Sequence, residues 1–510
     1  MLVSLSSSTL LTLFMITLSA SCLSGLLFLH PKIPLRYVQL HICLVALPPL
    51  VSLFALIFTN VNEVVGPWHL DSLAWLLALF VLSMGLIIQR FSVRYLMGDR
   101  SYRKYFTLFT FTTVAASIAW LSDDLRLMVI CWGATLLGLT LLIRLNRSWK
   151  VANEAAKVTG RFFTISWFAL LSAVVWLYLV TGQWQISFAL TDNSLAHLGP
   201  MERTGINLLI LLAVMIPASQ WPFQRWLIES VVAPTPVSAI MHAGLVNAGG
   251  IILTRFSSLF NGDMIQILLL ILASISVFIG TGISLVHVDY KRQLVGSTIA
   301  QMGFMLIQCA LGAYLAAIIH LVLHGLFKAT LFLQAGSAAH SYKGSSSHNE
   351  KPSNLWMMSG RVLGLLVGVT FWFMAPDDGY QLVSAIILGW SLSVSWTQLV
   401  VFGKGRIGKI AGLSFMIGFS IVYFFIHILF YQWLQTTISH SFQPPMWAVI
   451  FVVCFLLVGH AIGALAARKQ SSVLFAVLYL WFVRFGEAQP KSVESHPNYL
   501  KKFIHQGGNQ

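Results

Sequence analysis

The chain has 510 residues, of which 57% are hydrophobic and 9% are charged, and its mean hydropathy is +0.80. Too few polar residues are present to cover a soluble core of this size, so the composition excludes a soluble globular enzyme and indicates a protein surrounded by lipid. The net charge of +15 does not indicate a nucleic-acid partner, because the basic residues lie in the segments between apolar runs, as membrane topology requires.

Apolar runs recur from one end of the chain to the other, each long enough to cross about 30 Å of hydrocarbon as a helix. They predict an all-α polytopic membrane protein with about 15 transmembrane helices, because the strands of a membrane β-barrel would alternate polar and apolar residues. The predicted spans are residues 9–29, 38–59, 69–89, 104–121, 125–143, 162–181, 205–232, 236–257, 264–287, 293–311, 314–340, 362–375, 380–402, 410–434 and 445–466.

Basic residues concentrate in alternate loops, with clusters at residues 90–104, 144–161 and 404–409, and in the C-terminal tail. By the positive-inside rule, this pattern predicts an inner (cytoplasmic) membrane protein with its N-terminus outside and its tail in the cytoplasm. A polar stretch from His340 to Asn354 predicts a cytoplasmic loop between two halves of the bundle. The last apolar stretch, Ser471 to Val483, is too short to span comfortably and is interpreted as an interfacial or partner-facing helix.

Prolines interrupt the seventh apolar run and separate it from the eighth. Proline lacks a backbone N–H and frees the carbonyl four residues earlier, so the run predicts either a broken helix or a simple kink. Broken helices place half-helix ends near mid-membrane, where they can hold ions or water. The candidate broken-helix residues are Pro217, Pro222, Pro234 and Pro236.

The eleventh span contains His320, His324 and Lys328 at a spacing of four, which stacks them on one face of a helix over about 12 Å. A cation inside a membrane costs at least about 2.5–3.5 kcal/mol, so three stacked ionisable residues favour an ion relay. One alternative has the histidines bonded to neighbouring helices and Lys328 paired with a carboxylate. Zinc binding is the weakest alternative, because two histidines lack a third ligand.

Further ionisable residues lie near the two regions just described. Asp289 and Lys291 follow the ninth span, where a solvated pair at a helix end is the alternative to a functional role. The candidate ion-relay residues are Lys328, His324, His320, His242, Asp289, Lys291, Glu229 and Arg225.

Three stretches, Ala233 to Gly250, Gly296 to Gly303 and His320 to Gly336, resemble the antiporter-like subunits of respiratory complex I and of Mrp-type cation antiporters. The resemblance covers roughly residues 70–340. It implies two inverted five-helix halves with broken helices and a proton-conducting polar axis on which His242, His320, His324 and Lys328 lie. It also implies four parts: N-terminal helices (1–103), a first half (104–260), a second half (261–403) and C-terminal helices with a basic tail (404–510).

Two positions depart from the complex I pattern: Gly133 stands where a glutamate follows Trp132, and Pro217 stands where a lysine precedes the broken helix. Together with the length of the chain, these departures make the sequence resemble the DabB (MpsA) family. Members of that family are the membrane subunits of energy-coupled inorganic carbon pumps. That resemblance implies a DabA-like zinc-binding partner on which H⁺ or Na⁺ entry drives hydration of carbon dioxide to bicarbonate.

On this interpretation the chain itself has no catalytic residue, metal site or cofactor. The alternatives are an antiporter-like subunit of a Na⁺/H⁺ antiporter or a complex I relative, and a membrane anchor that conducts nothing.

Overall fold

The computed structural model describes residues 6–59, 62–147, 149–260, 262–341, 354–374, 385–386, 389, 406–438, 445–468 and 471–488. Helices dominate this part of the chain. Those of the first 143 residues are α1 (Ser7–Phe28), α2 (Tyr37–Val45), α3 (Leu47–Phe58), α4 (Ser72–Tyr95), α5 (Tyr102–Leu121) and α6 (Leu125–Ile143).

The middle of the chain forms longer helices and several short ones. The helices are α7 (Lys150–Thr181), α8 (Ile186–Ala189), α9 (Asp192–Leu195), α10 (Pro200–Met215), α11 (Arg225–Glu229), α12 (Thr235–Ala243), α13 (Ala248–Arg255), α14 (Met264–Val286), α15 (Tyr290–Ala310) and α16 (Tyr314–Ser341). Single 3₁₀ turns lie at Ser230–Val232, Leu245–Asn247 and Ser257–Leu259. The C-terminal helices are α17 (Asn354–Met374), α18 (Arg406–Leu434), α19 (Met446–Arg468) and α20 (Val473–Gly486).

The predicted membrane spans coincide with these helices or with interrupted helix pairs wherever the chain is described, which confirms the all-α polytopic fold. By length and composition, nine helices within the described residues can cross a membrane. The predicted span 380–402, the loop after residue 341 and the tail after residue 488 lie almost wholly outside the described residues. The predicted interfacial stretch near the C-terminus forms α20, which packs against α14 and α19.

Helix α7 begins at Lys150, so the prediction that residues 144–161 form a loop is wrong beyond this point. Its 32 residues correspond to about 48 Å at about 1.5 Å per residue, more than the hydrocarbon thickness of about 30 Å. The extension is rich in good helix formers and contains an exposed Glu154–Lys157 ion pair one turn apart. The charged residues mark the end of the apolar run in the sequence, but the helix continues through them.

A short antiparallel hairpin, β1 (Glu63–Val65) and β2 (Trp68–Leu70), covers one end of the bundle and was not predicted. Its turn contains Gly66 at φ +59°, in the left-handed region that glycine adopts at little cost. Trp68 forms a bridge with Ser122, which follows α5. We call this end of the bundle the hairpin end.

Four long helices begin with an aspartate whose carboxylate accepts a backbone N–H of the first turn, the usual N-cap arrangement. The N-cap residues are Asp71 of α4, Asp124 of α6, Asp263 of α14 and Asp289 of α15. Helices α14 and α15 pack along each other, and α4 lies between α5 and the pair α12 and α16. The core around α12, α15 and α16 is therefore enclosed by other helices.

Candidate functional site

The first helix interruption lies where prolines predicted it. Helix α10 ends at Met215 and the chain becomes helical again at Arg225, with Pro217 and Pro222 between them. The Ile216 carbonyl accepts from the Ser219 N–H at 3.0 Å and from the indole of Trp226 at 2.6 Å. Side chains thus satisfy part of the backbone that the interruption releases.

Pro234 and Pro236 do not interrupt a helix, so their assignment to a broken helix was wrong. Pro234 is the N-cap of α12 and Pro236 lies in its first turn. A proline in the first helical turn is favourable, because the N–H that it lacks has no partner within the helix.

A second interruption, which the sequence analysis did not predict, separates α12 from α13. Helix α12 ends at Ala243, and a 3₁₀ turn at Leu245–Asn247 precedes α13. The Asn247 side-chain amide donates to the Ala243 carbonyl at 2.6 Å. Its Oδ1 is buried and has no hydrogen-bond partner among the described residues. The break therefore carries a polar oxygen inside the bundle.

Lys328 of α16 is fully enclosed, with 1% of its surface exposed. Its ammonium donates to the Leu294 carbonyl at 3.1 Å and to the Ser297 hydroxyl, both on α15. No salt bridge to Lys328 is found within the described residues. The alternative in which a carboxylate pairs with Lys328 therefore has no support from this part of the chain.

His324 and His320 lie on the same helix as Lys328, in the direction of the start of α16. The ring centroids of the two histidines are 6.0 Å apart. His320 Nδ1 is 3.1 Å from Gln308 Oε1 of α15. His324 is buried, and neither of its ring nitrogens has a hydrogen-bond partner among the described residues. A buried imidazole is costly without a hydrogen bond, so His324 stays a candidate for the relay.

His242, near the end of α12, faces the same strip of α15. Its Nδ1 lies 3.1 Å from Thr298 Oγ1, and its ring stacks on Phe332 of α16 at 4.2 Å. The structure thus brings together four of the candidate relay residues around α15. These are His242, His320, His324 and Lys328.

The remaining candidates lie nearer the end of the bundle opposite the hairpin. Lys291 is half-buried, and its ammonium donates to the Ala233 carbonyl at 3.1 Å, just before α12 begins. Asp289 is exposed and caps α15. Glu229 is buried, 3.6 Å from the Nε of the more exposed Arg225. Helix α11, which carries this pair, packs against α15.

A second group of charged residues lies at the hairpin end. Arg255, the last residue of α13, donates to both carboxylate oxygens of Asp71, at 2.5 and 3.0 Å, and to the Trp120 carbonyl at 3.4 Å. His69 is 3.8 Å from Asp71 and 3.6 Å from Asp123. Both carboxylates are fully buried. We call Asp71, Arg255, His69 and Asp123 the hairpin-end cluster.

The Asp71 carboxylate stays charged in this environment. Its burial alone would raise its pKa, but the charge and hydrogen bonds of Arg255 outweigh burial and hold the pKa below the ordinary value of 3.8. The Ala74 N–H, at 2.6 Å from Asp71 Oδ1, acts in the same direction. Asp71 thus caps α4 and forms an ion pair with Arg255 at the same time.

The acceptors on α15 are the residues that sequence reasoning missed. Ser297 and Thr298 lie inside the recognised stretch Gly296 to Gly303, but nothing in the sequence shows that they contact Lys328 and His242. Nothing in the sequence indicated that Gln308 contacts His320. Among the described residues, no group of three or more histidine, cysteine or acidic side chains is arranged to hold a metal ion.

Comparisons with known proteins show what this bundle is similar to. Residues 122–408 match the family described as NADH:quinone oxidoreductase/Mrp antiporter, transmembrane domain. The probable inorganic carbon transporter subunit DabB of Bacillus subtilis (strain 168) is 71% identical, over 99% of this chain and 100% of that protein. The subunit of the same name from Bacillus anthracis is 69% identical over the full length of both.

A chain of the Mrp complex from Dietzia sp. DQ12-45-1b has the same fold, with a TM-score of 0.66 and 21% identity over 97% of this chain. Our chain spans 59% of that chain's length. These matches confirm the antiporter-like fold, and the relatives' names identify a transporter subunit and not an enzyme. The chain therefore belongs to the NADH:quinone oxidoreductase/Mrp antiporter membrane family and, within it, to the DabB family of transporter subunits.

Proposed function

We propose that this chain is the cation-conducting membrane subunit of an inorganic carbon transporter. Cation entry through it drives hydration of carbon dioxide, and hence bicarbonate accumulation, on a DabA-like zinc-binding partner. The relatives named DabB support the carbon substrate, because they match the chain over almost its whole length. One observation carries the conduction role: Lys328 is buried beside His324, and its bonds within the described residues go to uncharged oxygens of α15.

The proposed path follows α15 through the bundle. Lys291 lies at its start, Lys328 and His242 contact it further along, and His320 contacts it near its end. Ionisable residues inside membrane helices are retained mainly for ion pathways, because each one opposes insertion. Glu229 and Arg225 lie at the Lys291 end, where they would act on the cation as it enters or leaves.

The interruptions in the seventh and eighth spans support conduction as well. Both leave polar groups inside the bundle: Gln220 Oε1 in the first and Asn247 Oδ1 in the second have no hydrogen-bond partner among the described residues. Such oxygens can hold water or a cation where a continuous helix would offer none. The pathway thus combines nitrogen bases with amide oxygens, and the cation carried is H⁺ or Na⁺.

In the proposed topology the protein crosses the cytoplasmic membrane with its N-terminus and hairpin end outside and its basic tail inside. The pathway lies in two antiporter-like halves, residues 104–260 and 261–403, flanked by N-terminal helices (1–103) and a C-terminal segment (404–510). Alternating basic loops support this orientation.

Replacing Lys328 tests the conduction role. In a strain without other carbon uptake, we expect Lys328→Ala to abolish bicarbonate accumulation, because no other ammonium contacts Leu294 and Ser297 within the described residues. The amount of protein in the membrane and its binding to the partner should stay close to wild type. Collapsing the H⁺ or the Na⁺ gradient separately with ionophores in the wild-type strain identifies the cation.

The matched control is Thr330→Ala, two residues further along α16, whose exposed hydroxyl donates to the Leu326 carbonyl of its own helix. It should accumulate bicarbonate as the wild type does. Full accumulation by Lys328→Ala would instead support a membrane anchor that conducts nothing. Isolation with several small membrane subunits and no large zinc protein would favour an Mrp-type antiporter.

A further inference from the structure

The hairpin-end cluster joins parts of the chain that are distant in sequence. Arg255 ends α13, Asp71 begins α4, and the Trp120 carbonyl lies near the end of α5. Asp123 accepts from both the backbone N–H and the hydroxyl of Ser187 in α8, at 3.0 and 2.7 Å. One guanidinium therefore holds the end of α13 against two other helices.

Helix α13 is joined to α12 by Gly244 and the 3₁₀ turn Leu245–Asn247. The Asn247 N–H bonds to the Gly244 carbonyl at 3.2 Å, and the Asn247 side chain replaces the missing bond to Ala243. An interrupted span of this kind allows its two halves to change their relative orientation. His242 lies in the first half, and Arg255 ends the second.

The faces of α13 that contact its neighbours carry glycines. A side chain at Gly249 would meet the Val214 carbonyl at 3.3 Å, and one at Gly250 would meet Met305 Sδ at 2.8 Å. Glycines at these positions bring the helices into close contact without side chains that interlock. Beyond these contacts, the bonds of Arg255 fix the far end of α13.

We propose that Asp71 and Arg255 form a latch that closes the hairpin end of the ion pathway by holding α13 against α4 and α5. They are positioning residues, since neither contacts the residues of the α15 path. Release of Arg255 lets α13 tilt about Gly244–Asn247 and opens the polar interior to the hairpin end. The inference rests on the proposed conduction through Lys328.

The pair is suited to staying closed in the resting protein. Asp71 is fully buried and the Arg255 side chain is 11% exposed, so water competes little for either partner. Two parallel N–H···O bonds between a guanidinium and a carboxylate fix direction as well as distance. His69, whose side chain is 19% exposed, is the member of the cluster closest to solvent.

Two substitutions open the latch with little change in size. Asp71→Asn removes the charge but keeps an oxygen that can cap α4, and Arg255→Gln removes the guanidinium. The complex with its partner is reconstituted in vesicles, an H⁺ or Na⁺ gradient is imposed without inorganic carbon, and cation leak is recorded with an ion-sensitive dye. We expect leak at least about tenfold above wild type, because a buried pair that loses one partner strongly destabilises the closed arrangement.

The matched control is Arg126→Gln. Arg126 forms a similar two-bond pair with Asp124, at 3.1 and 2.6 Å, but its side chain is 58% exposed and the pair lies at the start of α6. Its leak should equal that of the wild type, since exposed pairs contribute little. If Arg255→Gln does not accumulate in the membrane, Arg255→Lys, which keeps the charge but not the paired donors, is measured instead, and we expect a smaller increase.

A double variant separates this inference from the function on which it rests. Adding Lys328→Ala to Arg255→Gln should remove the extra leak, which places that leak in the proposed pathway. Wild-type leak in Asp71→Asn and Arg255→Gln, at equal protein amounts, would overturn the latch and leave conduction intact. Extra leak that persists without Lys328 would overturn it as well. Full carbon uptake by Lys328→Ala alone would refute the proposed function instead.

Discussion

The bonds of Lys328 explain how a buried lysine could exchange a proton in this bundle. A lysine paired with a carboxylate would leave an uncompensated charge behind when it lost its proton. Lys328 donates to a carbonyl and a hydroxyl, so both of its charge states leave uncharged neighbours. The hydroxyl of Ser297 accepts from the ammonium with a lone pair and donates its own proton to the Leu294 carbonyl at 3.0 Å.

Replacing Ser297 tests this arrangement. We expect Ser297→Ala to lower the initial rate of gradient-driven bicarbonate uptake by about tenfold, because a hydrogen bond to a charged group contributes about 1.5–3 kcal/mol. The carbonyl of Leu294 remains, so the loss should be smaller than in Lys328→Ala. Uptake rates at matched protein amounts provide the measurement, and a rate equal to that of the wild type would contradict the assigned contact.

The sequence predicted the basic residues of the site but not the residues of α15 that they contact. A spacing of four places His320, His324 and Lys328 on one helix face, because the helical period is known in advance. Their contacts with Gln308 and Ser297 depend on how α16 packs against α15, which no local pattern contains. The same holds for Arg255, whose partner Asp71 lies far away in the sequence.

Among the helices at the site, α16 approaches the end of α12 closely. A side chain at Gly325 would meet Phe80 of α4 and would lie 2.7 Å from the Ala243 carbonyl. That carbonyl is the one that Asn247 caps at the second interruption. Glycine is therefore required at this position of α16 by the approach of another backbone.

Gly325→Ala tests that contact. We expect a lower melting temperature of the purified complex, since an added methyl in a tightly packed site costs about 1–3 kcal/mol. The control is Gly418→Ala on α18, where a side chain would meet no described atom within 4 Å. Alanine favours helices over glycine, so the control should melt at or slightly above the wild-type temperature. Equal melting of both variants would contradict the close approach.

Helix interruptions were predictable only where proline marks them. Pro217 and Pro222 predicted the first interruption, because proline has no backbone N–H to donate within a helix. The second, at Gly244, lies in an apolar run whose one proline, Pro236, stands at its start, and its geometry depends on Asn247 and on the neighbouring α16. The start of α7 was predicted wrongly for a related reason. Hydropathy indicates where the chain leaves the lipid, but a helix can continue beyond that point into water.

The proposed orientation of the whole bundle rests on charge alone and can be measured directly. In a cysteine-free background, Met201→Cys and Val288→Cys place thiols at residues that are 87% and 93% exposed. The proposed topology puts residue 201 outside and residue 288 in the cytoplasm. We expect a membrane-impermeant maleimide to label the first in intact cells and the second only after permeabilisation. The opposite pattern would invert the topology.

A large share of the overall fold could be predicted because hydropathy is a local property. The described spans coincide with predicted ones, since about twenty apolar residues suffice to define a membrane helix. Packing partners could not be derived in this way: α4 lies against α12 and α16, which follow it by well over 100 residues. Hydropathy could not predict the hairpin either, because strands of three residues are too short to show a pattern.

The position of Lys328 inside the span also has an electrical consequence. A cation crossing the full membrane gains about 2.3 kcal/mol for each 100 mV of membrane potential. If conduction runs as proposed, a cation that reaches Lys328 has already traversed part of that voltage drop, so the occupancy of the lysine depends on the potential as well as on concentration. In the proposed role, a cell could therefore power carbon accumulation by its membrane voltage even where the cation is equally concentrated on both sides.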